Sequence, residues 1–172
     1  MIEISFNKEE LDSCRRGANL RYQFARKAAL LRDIKDKTPG KSEGSNPDYQ
    51  GIRGELAVAK AFELDFDPFR GIGVDNGIDF WWNETSIDVK ATPYITGRLI
   101  FIDPEKFKSD IAILAIEVKE DFYRVPGWIS KERFKEICKP FMEGYAVEQE
   151  DLKQPSELWE IMTNWKNKKY ER

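Results

Sequence analysis

The sequence predicts an α/β fold: a central mixed β-sheet flanked by helices, with one long helix added at the N-terminal end and another at the C-terminal end. Three observations predict it. Residues 8 to 36 repeat apolar side chains at helical spacing, through Leu11, Cys14, Ala18, Tyr22, Ala25 and Ala29. Residues 78 to 91 form two β-branched and aromatic runs around a short polar turn at Asn83 and Glu84, the pattern of a hairpin. Asp110 to Val118 is nearly all apolar, as in a central strand buried on both faces. With 172 residues, 41% of them apolar and 34% charged, one domain spanning 1–172 with an ordinary core is expected.

Each element has its own signal. Asn7 and Glu10 make a capping box that opens the N-terminal helix, about 8 to 36. Leu20, Phe24, Leu31 and Ile34 widen its apolar stripe. Thr38 to Asn46 is a loop by composition. Pro47 suits the first turn of a second helix, which runs through Phe62. On it Ile52, Leu56, Ala59 and Phe62 share one face, and Glu55 falls in the middle of that face, with Arg53 and Lys60 outside it. Gly51, Gly54 and Ala57 allow this helix to lie close to a sheet or ligand. Arg98 to Asp103 is a short strand, and Phe122 to Ile129 another, with Pro126 marking an edge or bulge. Ser130 caps a helix to Cys138. The C-terminal helix, about 157 to 168, has Leu158, Ile161, Met162 and Trp165 on its apolar side. Trp159 and Trp165 are expected to pack internally or to form a homodimer contact.

Composition excludes several functions. There is no histidine, which removes His-based zinc hydrolases, Ser-His-Asp triads and Cys-His pairs. A hydrolase built from this chain rests on carboxylates, lysine and metal. No apolar run approaches the roughly 18 to 20 residues of a membrane span, and Met1 to Ser5 lack the layout of a secretory signal. The expectation is a cytoplasmic protein, in the host cytoplasm if its source is viral, with no membrane and no organic cofactor among its partners. Cys14 and Cys138 are expected to be reduced rather than bridged. The net charge of −3 gives no overall pull toward nucleic acid, but residues 15 to 41 carry nine Lys or Arg against two acids, a local +7. That surface is either a solvated helix face or a phosphate-contacting one.

The chemistry concentrates in the hairpin. With a two-residue turn, Asp79 faces Asp88 across the ladder, and Lys90, two residues on, shares their face. Ile78, Phe80, Ile87, Val89 and Ala91 point the other way as an apolar layer. Directly opposed acids repel, so a cation between them is needed. Lys90 fills that need in a structural reading; a divalent metal fills it in a functional one. Glu55 allows two readings as well. A carboxylate on a core stripe is either salt-bridged to an arginine or a third ligand.

Gly51-x-x-Gly54-Glu55, then Ile78-Asp79, then Ile87-Asp88-Val89-Lys90, together resemble the PD-(D/E)xK nuclease superfamily, over about residues 48 to 130. Within it the arrangement is similar to the archaeal Holliday-junction-resolvase type and to phage-encoded nucleases, which add a glutamate from the preceding helix. Ile78 stands where the name-giving proline often does, and Pro104 to Lys108 is the only stretch available for the usual middle helix. The resemblance implies a restriction-endonuclease-like core, about 48 to 138. It implies a metal-dependent deoxyribonuclease, an endonuclease in DNA recombination, repair or replication, from a virus or mobile element. It implies one or two Mg2+ or Mn2+ held by Asp79, Asp88 and the Val89 carbonyl, with Glu55 completing the site and Lys90 beside the attacking water. Arg16, Arg26, Lys27, Arg53, Thr92 and Arg98 are the candidate DNA contacts, with Tyr94 and Gln50 near enough to help. The alternatives are a nucleic-acid-binding module of the same fold without catalysis, and a structural dimer whose acids and Lys90 neutralise one another.

Overall fold

The computed structural model of the chain describes residues 1–31, 47–69 and 77–170. The chain is mixed α/β. In order it forms β1 (Ile2–Ser5), α1 (Lys8–Leu31), α2 (Pro47–Phe62), β2 (Phe80–Trp82), β3 (Thr85–Thr92), β4 (Leu99–Phe101), β5 (Ile111–Lys119), β6 (Phe122–Ser130), α3 (Lys131–Ile137), β7 (Lys139–Phe141), β8 (Gly144–Val147) and α4 (Pro155–Tyr170). The central sheet has the order β1-β6-β5-β3-β2. Among the described residues only β3 and β5 pair in parallel; the β1-β6, β5-β6 and β2-β3 pairs are antiparallel.

Local sequence explains most of these elements. The Asn7 carboxamide accepts from the Glu10 amide at 2.9 Å, and the Glu10 carboxylate accepts from the Asn7 amide at 2.8 Å, so the expected capping box starts α1. The predicted continuation of that helix to residue 36, the loop after it, and Arg32, Lys35, Lys37 and Lys41 lie outside the described residues. Asn83 and Glu84 form the two-residue turn of the β2-β3 hairpin, with Asn83 at a φ of +52° that asparagine tolerates. Pro126 sits at a bulge: Leu114 pairs with Gly127 but Ile116 with Arg124. Ser130 caps α3 by accepting from the Arg133 amide. Between β3 and β5 the only helical turn is a 3-10 turn at Pro104–Lys106.

The sheet carries a core on each face. Ile87 and Val89 register with Ile111 and Ile113, and this face packs on α1, α2 and α4 through Cys14, Ala18, Ile52, Leu56, Phe62, Leu158 and Met162. Asp88 and Lys90 register with Ala112 and Leu114 on the opposite face. There Leu99, Phe101, Phe107, Ile129, Phe134 and Val147 form a second core. The face that holds the hairpin's charges is therefore covered by the small sheet β4-β8-β7.

Several expectations are corrected. Tyr22 and Phe24 are each 47% exposed and Ile161 51%, so the apolar stripes of α1 and α4 are narrower than their spacing suggests. At Gly17 a Cβ would stand 2.5 Å from the Pro68 carbonyl oxygen, so α1 packs closely on the loop after α2 at that point. Trp159 packs against the core; the Trp165 side chain is outside what is described. Cys14 and Cys138 are free thiols, as expected. Strands β1, β7 and β8 lack a local signal and were not anticipated. Among the described residues no helix is long and apolar enough to cross a membrane.

Candidate active site

Asp88 and Lys90 are placed by β3. Asp88 is 4% exposed, and the Lys90 ammonium stands 2.7 Å from its carboxylate. The same ammonium lies over the Phe101 ring, 4.6 Å from its centroid. An aromatic face attracts a cation and fixes the lysine stem without adding an anion. The start of β3 is tied to the start of β5, because the Ser86 amide and hydroxyl both donate to Asp110, at 2.7 and 2.6 Å. Those bonds hold the Asp110 carboxyl below its usual range.

Asp79 does not simply face Asp88. The regular ladder ends at Phe80. The Asp79 amide donates to the Ile87 carbonyl, and its carboxylate accepts from the Val89 amide at 2.6 Å. In a continued antiparallel ladder that amide would meet a backbone carbonyl. The side chain takes the carbonyl's place, which turns the carboxylate in beside β3. A strand residue presents its N–H and C=O to the same side, so the Val89 carbonyl also faces the Asp79 edge. Burial, first, and the charges of Glu55 and Asp88 push the Asp79 carboxyl up to about 8, against the Val89 hydrogen bond and Lys90.

Glu55 reaches this edge from α2. Its helix lies close to β3: a Cβ on Gly54 would stand 2.7 Å from the Ala91 Cβ. Gly51 has open space, so only one of the two glycines makes the approach. Both carboxylate oxygens of Glu55 accept from Arg21 of α1, at 2.6 and 2.8 Å. The salt-bridge reading of Glu55 is thus realised, yet the carboxylate still acts on Asp79. Burial opposes the charge on Arg21, but Glu55, with Asp79 and Asp48 behind it, raises the guanidinium's pKa. Burial raises Asp48 as well, with Arg21 acting against it. Sequence reasoning missed both Arg21 and Asp48. A signal for Arg21 existed: it follows the buried Cys14 and Ala18 at helical spacing, mirroring Glu55 on α2.

No family model, curated protein or solved structure matches the chain. The site must therefore be judged on its own chemistry. Among the described residues no group of three or more His, Cys, Asp or Glu side chains is gathered as a ready-made metal cage. A magnesium site does not need one, since Mg2+ is usually held by one or two carboxylates with waters and substrate phosphates. The donor set fits a hard cation. It is all oxygen, Asp88 and Glu55 are charge-paired in the metal-free protein, and Asp79 keeps a proton that a cation would displace.

The candidate DNA contacts divide. Arg16 and Lys27 are exposed on α1, and the side chain of Arg26 lies outside what is described. Arg53 is corrected: it is 5% exposed, donates to Glu117 at 2.7 Å and to the Glu120 carbonyl at 2.9 Å, and stacks on Tyr49. It is a core ion pair between α2 and β5, not a surface contact. Gln50 turns the same way, donating to Glu117. Arg98 is likewise engaged, with Glu148 at 2.5 Å and the Phe141 ring at 4.4 Å. Thr92 accepts from the Tyr94 amide in the loop after β3, and Tyr94 itself is 71% exposed.

Proposed function

We propose that the chain is a metal-dependent deoxyribonuclease with a restriction-endonuclease-like core, acting as an endonuclease on DNA in the cytoplasm. The observation that carries the reading is the meeting at one edge of β3 of Asp79, Asp88 and Lys90, with Glu55 within electrostatic reach. Asp79, Asp88 and the Val89 carbonyl are the groups to hold Mg2+ or Mn2+, and Glu55 completes the set. When bound, the metal supplies a Lewis acid for the scissile phosphate and a water of lowered pKa. Lys90, a compact charge held over Phe101, orients that water or stabilises the charge developing on phosphorus. Asp79 gives up its proton as the site fills. Arg16 and Lys27 contact the DNA backbone.

The test is cleavage of plasmid, linear and branched DNA with Mg2+ or Mn2+, comparing wild type with Asp88→Ala and Lys90→Ala. Loss in both variants of a metal-dependent wild-type activity is expected; equal activity in all three proteins contradicts the assignment. One observation favours a second reading. Arg21 already neutralises Glu55, as it would in a nucleic-acid-binding module with the same fold and no catalysis. That module would bind DNA without any metal-dependent cleavage.

A further inference from the structure

We infer that Arg21 is a stand-in for the metal at Glu55: its guanidinium grips the carboxylate in the metal-free protein and must release it before Glu55 can act as a ligand. This rests on the metal-dependent reading above and adds a positioning residue to it. The geometry is specific. Arg21 engages both oxygens of Glu55 at once, as a planar fork does and an ammonium does not. Asp79 and Asp48 also favour the charge on the same guanidinium, so this cation of α1 stands among acids carried by α2 and the hairpin approach. The pair is not sealed in: the Arg21 side chain is 24% exposed and that of Glu55 11%. An exchange of partners therefore needs no opening of the core. The positive charge is contributed by the N-terminal helix rather than by the sheet that carries Asp88 and Lys90. Competition for Glu55 consequently links the seating of α1 to the occupancy of the site.

The experiment titrates Mn2+ into wild type, Arg21→Gln, Arg21→Lys and Asp88→Asn by calorimetry, with metal-free thermal melts of each. Arg21→Gln should bind Mn2+ more tightly, on the order of ten- to a hundredfold, because a unit charge a few ångströms from the site is removed. Arg21→Lys should fall between wild type and Arg21→Gln. It keeps the charge but loses the two-pronged grip. Both variants should melt lower than wild type without metal and close that gap in saturating Mn2+. If Arg21→Gln does not fold, the Arg21→Lys comparison decides. Wild-type binding that requires Asp88 but is equal in Arg21→Lys overturns the competition and leaves the metal site standing. No Mn2+ binding by the wild type overturns both.

Discussion

Asp79 concentrates the residue-scale physics. Its folded pKa of about 8 lies above the ordinary 3.8, so the folded state holds a proton that the unfolded state has released. Its contribution to stability is complete at about pH 4 and is lost as pH rises through about 8, the reverse of a salt-bridged carboxylate. Asp79→Asn keeps an acceptor for the Val89 amide and removes the charge. In metal-free buffer the variant should match wild type near pH 4 and melt higher near pH 9, by on the order of a few degrees. Thermal melts across that range check it; no difference at high pH would remove the buried-acid account. Removing the Lys90 charge acts in the opposite direction on stability. Lys90→Met removes the ammonium that stands 2.7 Å from the buried Asp88 and should cost about 1–3 kcal/mol in chemical denaturation, discounted for the one-third exposure of the lysine.

At the scale of elements, the contact between α2 and β3 sets where Glu55 stands. Adding a methyl at Gly54 brings it to 2.7 Å from the Ala91 Cβ, which forces the helix outward. Gly54→Ala should destabilise by about 1–3 kcal/mol despite its better helix propensity. Ala91→Gly in the same chain should recover most of that loss, a non-additivity that equilibrium unfolding of the single and double variants measures. The hairpin, α2, β5 and α3 were legible because each is written locally, in a turn, a first-turn proline, an apolar run or a cap. β1, β7 and β8 were not: each is four residues or fewer, β1 and β8 pair with strands far away in sequence, and the β7-β8 hairpin turns at Met142 and Glu143, which are not usual turn residues. Within the site, the shared face of Asp88 and Lys90 was legible from period two, whereas the inward turn of Asp79 onto the Val89 amide was not. For Arg21 the helical spacing from Cys14 and Ala18 marked an inward position, but a basic residue on a basic helix does not name its partner. Nor could spacing show that Arg53 and Arg98 answer Glu117 and Glu148.

For the whole molecule, two layers meet at the candidate site: the helices α1 and α2 on one face of the sheet and the β4-β8-β7 sheet on the other. The acids sit at the seam, where β3 continues beyond the end of β2. Charge is also distributed unevenly between the ends of the chain, and Arg16 and Lys27 of α1 are exposed to meet a polyanion. Arg16→Ala combined with Lys27→Ala should weaken DNA binding and flatten its salt dependence by about two charges, whereas Arg98→Ala should leave both unchanged. Fluorescence anisotropy against salt distinguishes them. The most direct measurement of the central claim is anomalous diffraction from crystals soaked in Mn2+. A peak bounded by the carboxylates of Asp79 and Asp88 and the Val89 carbonyl is the predicted result. A fully soaked crystal with no peak there, or with Lys90 still seated on an unliganded Asp88, would contradict it.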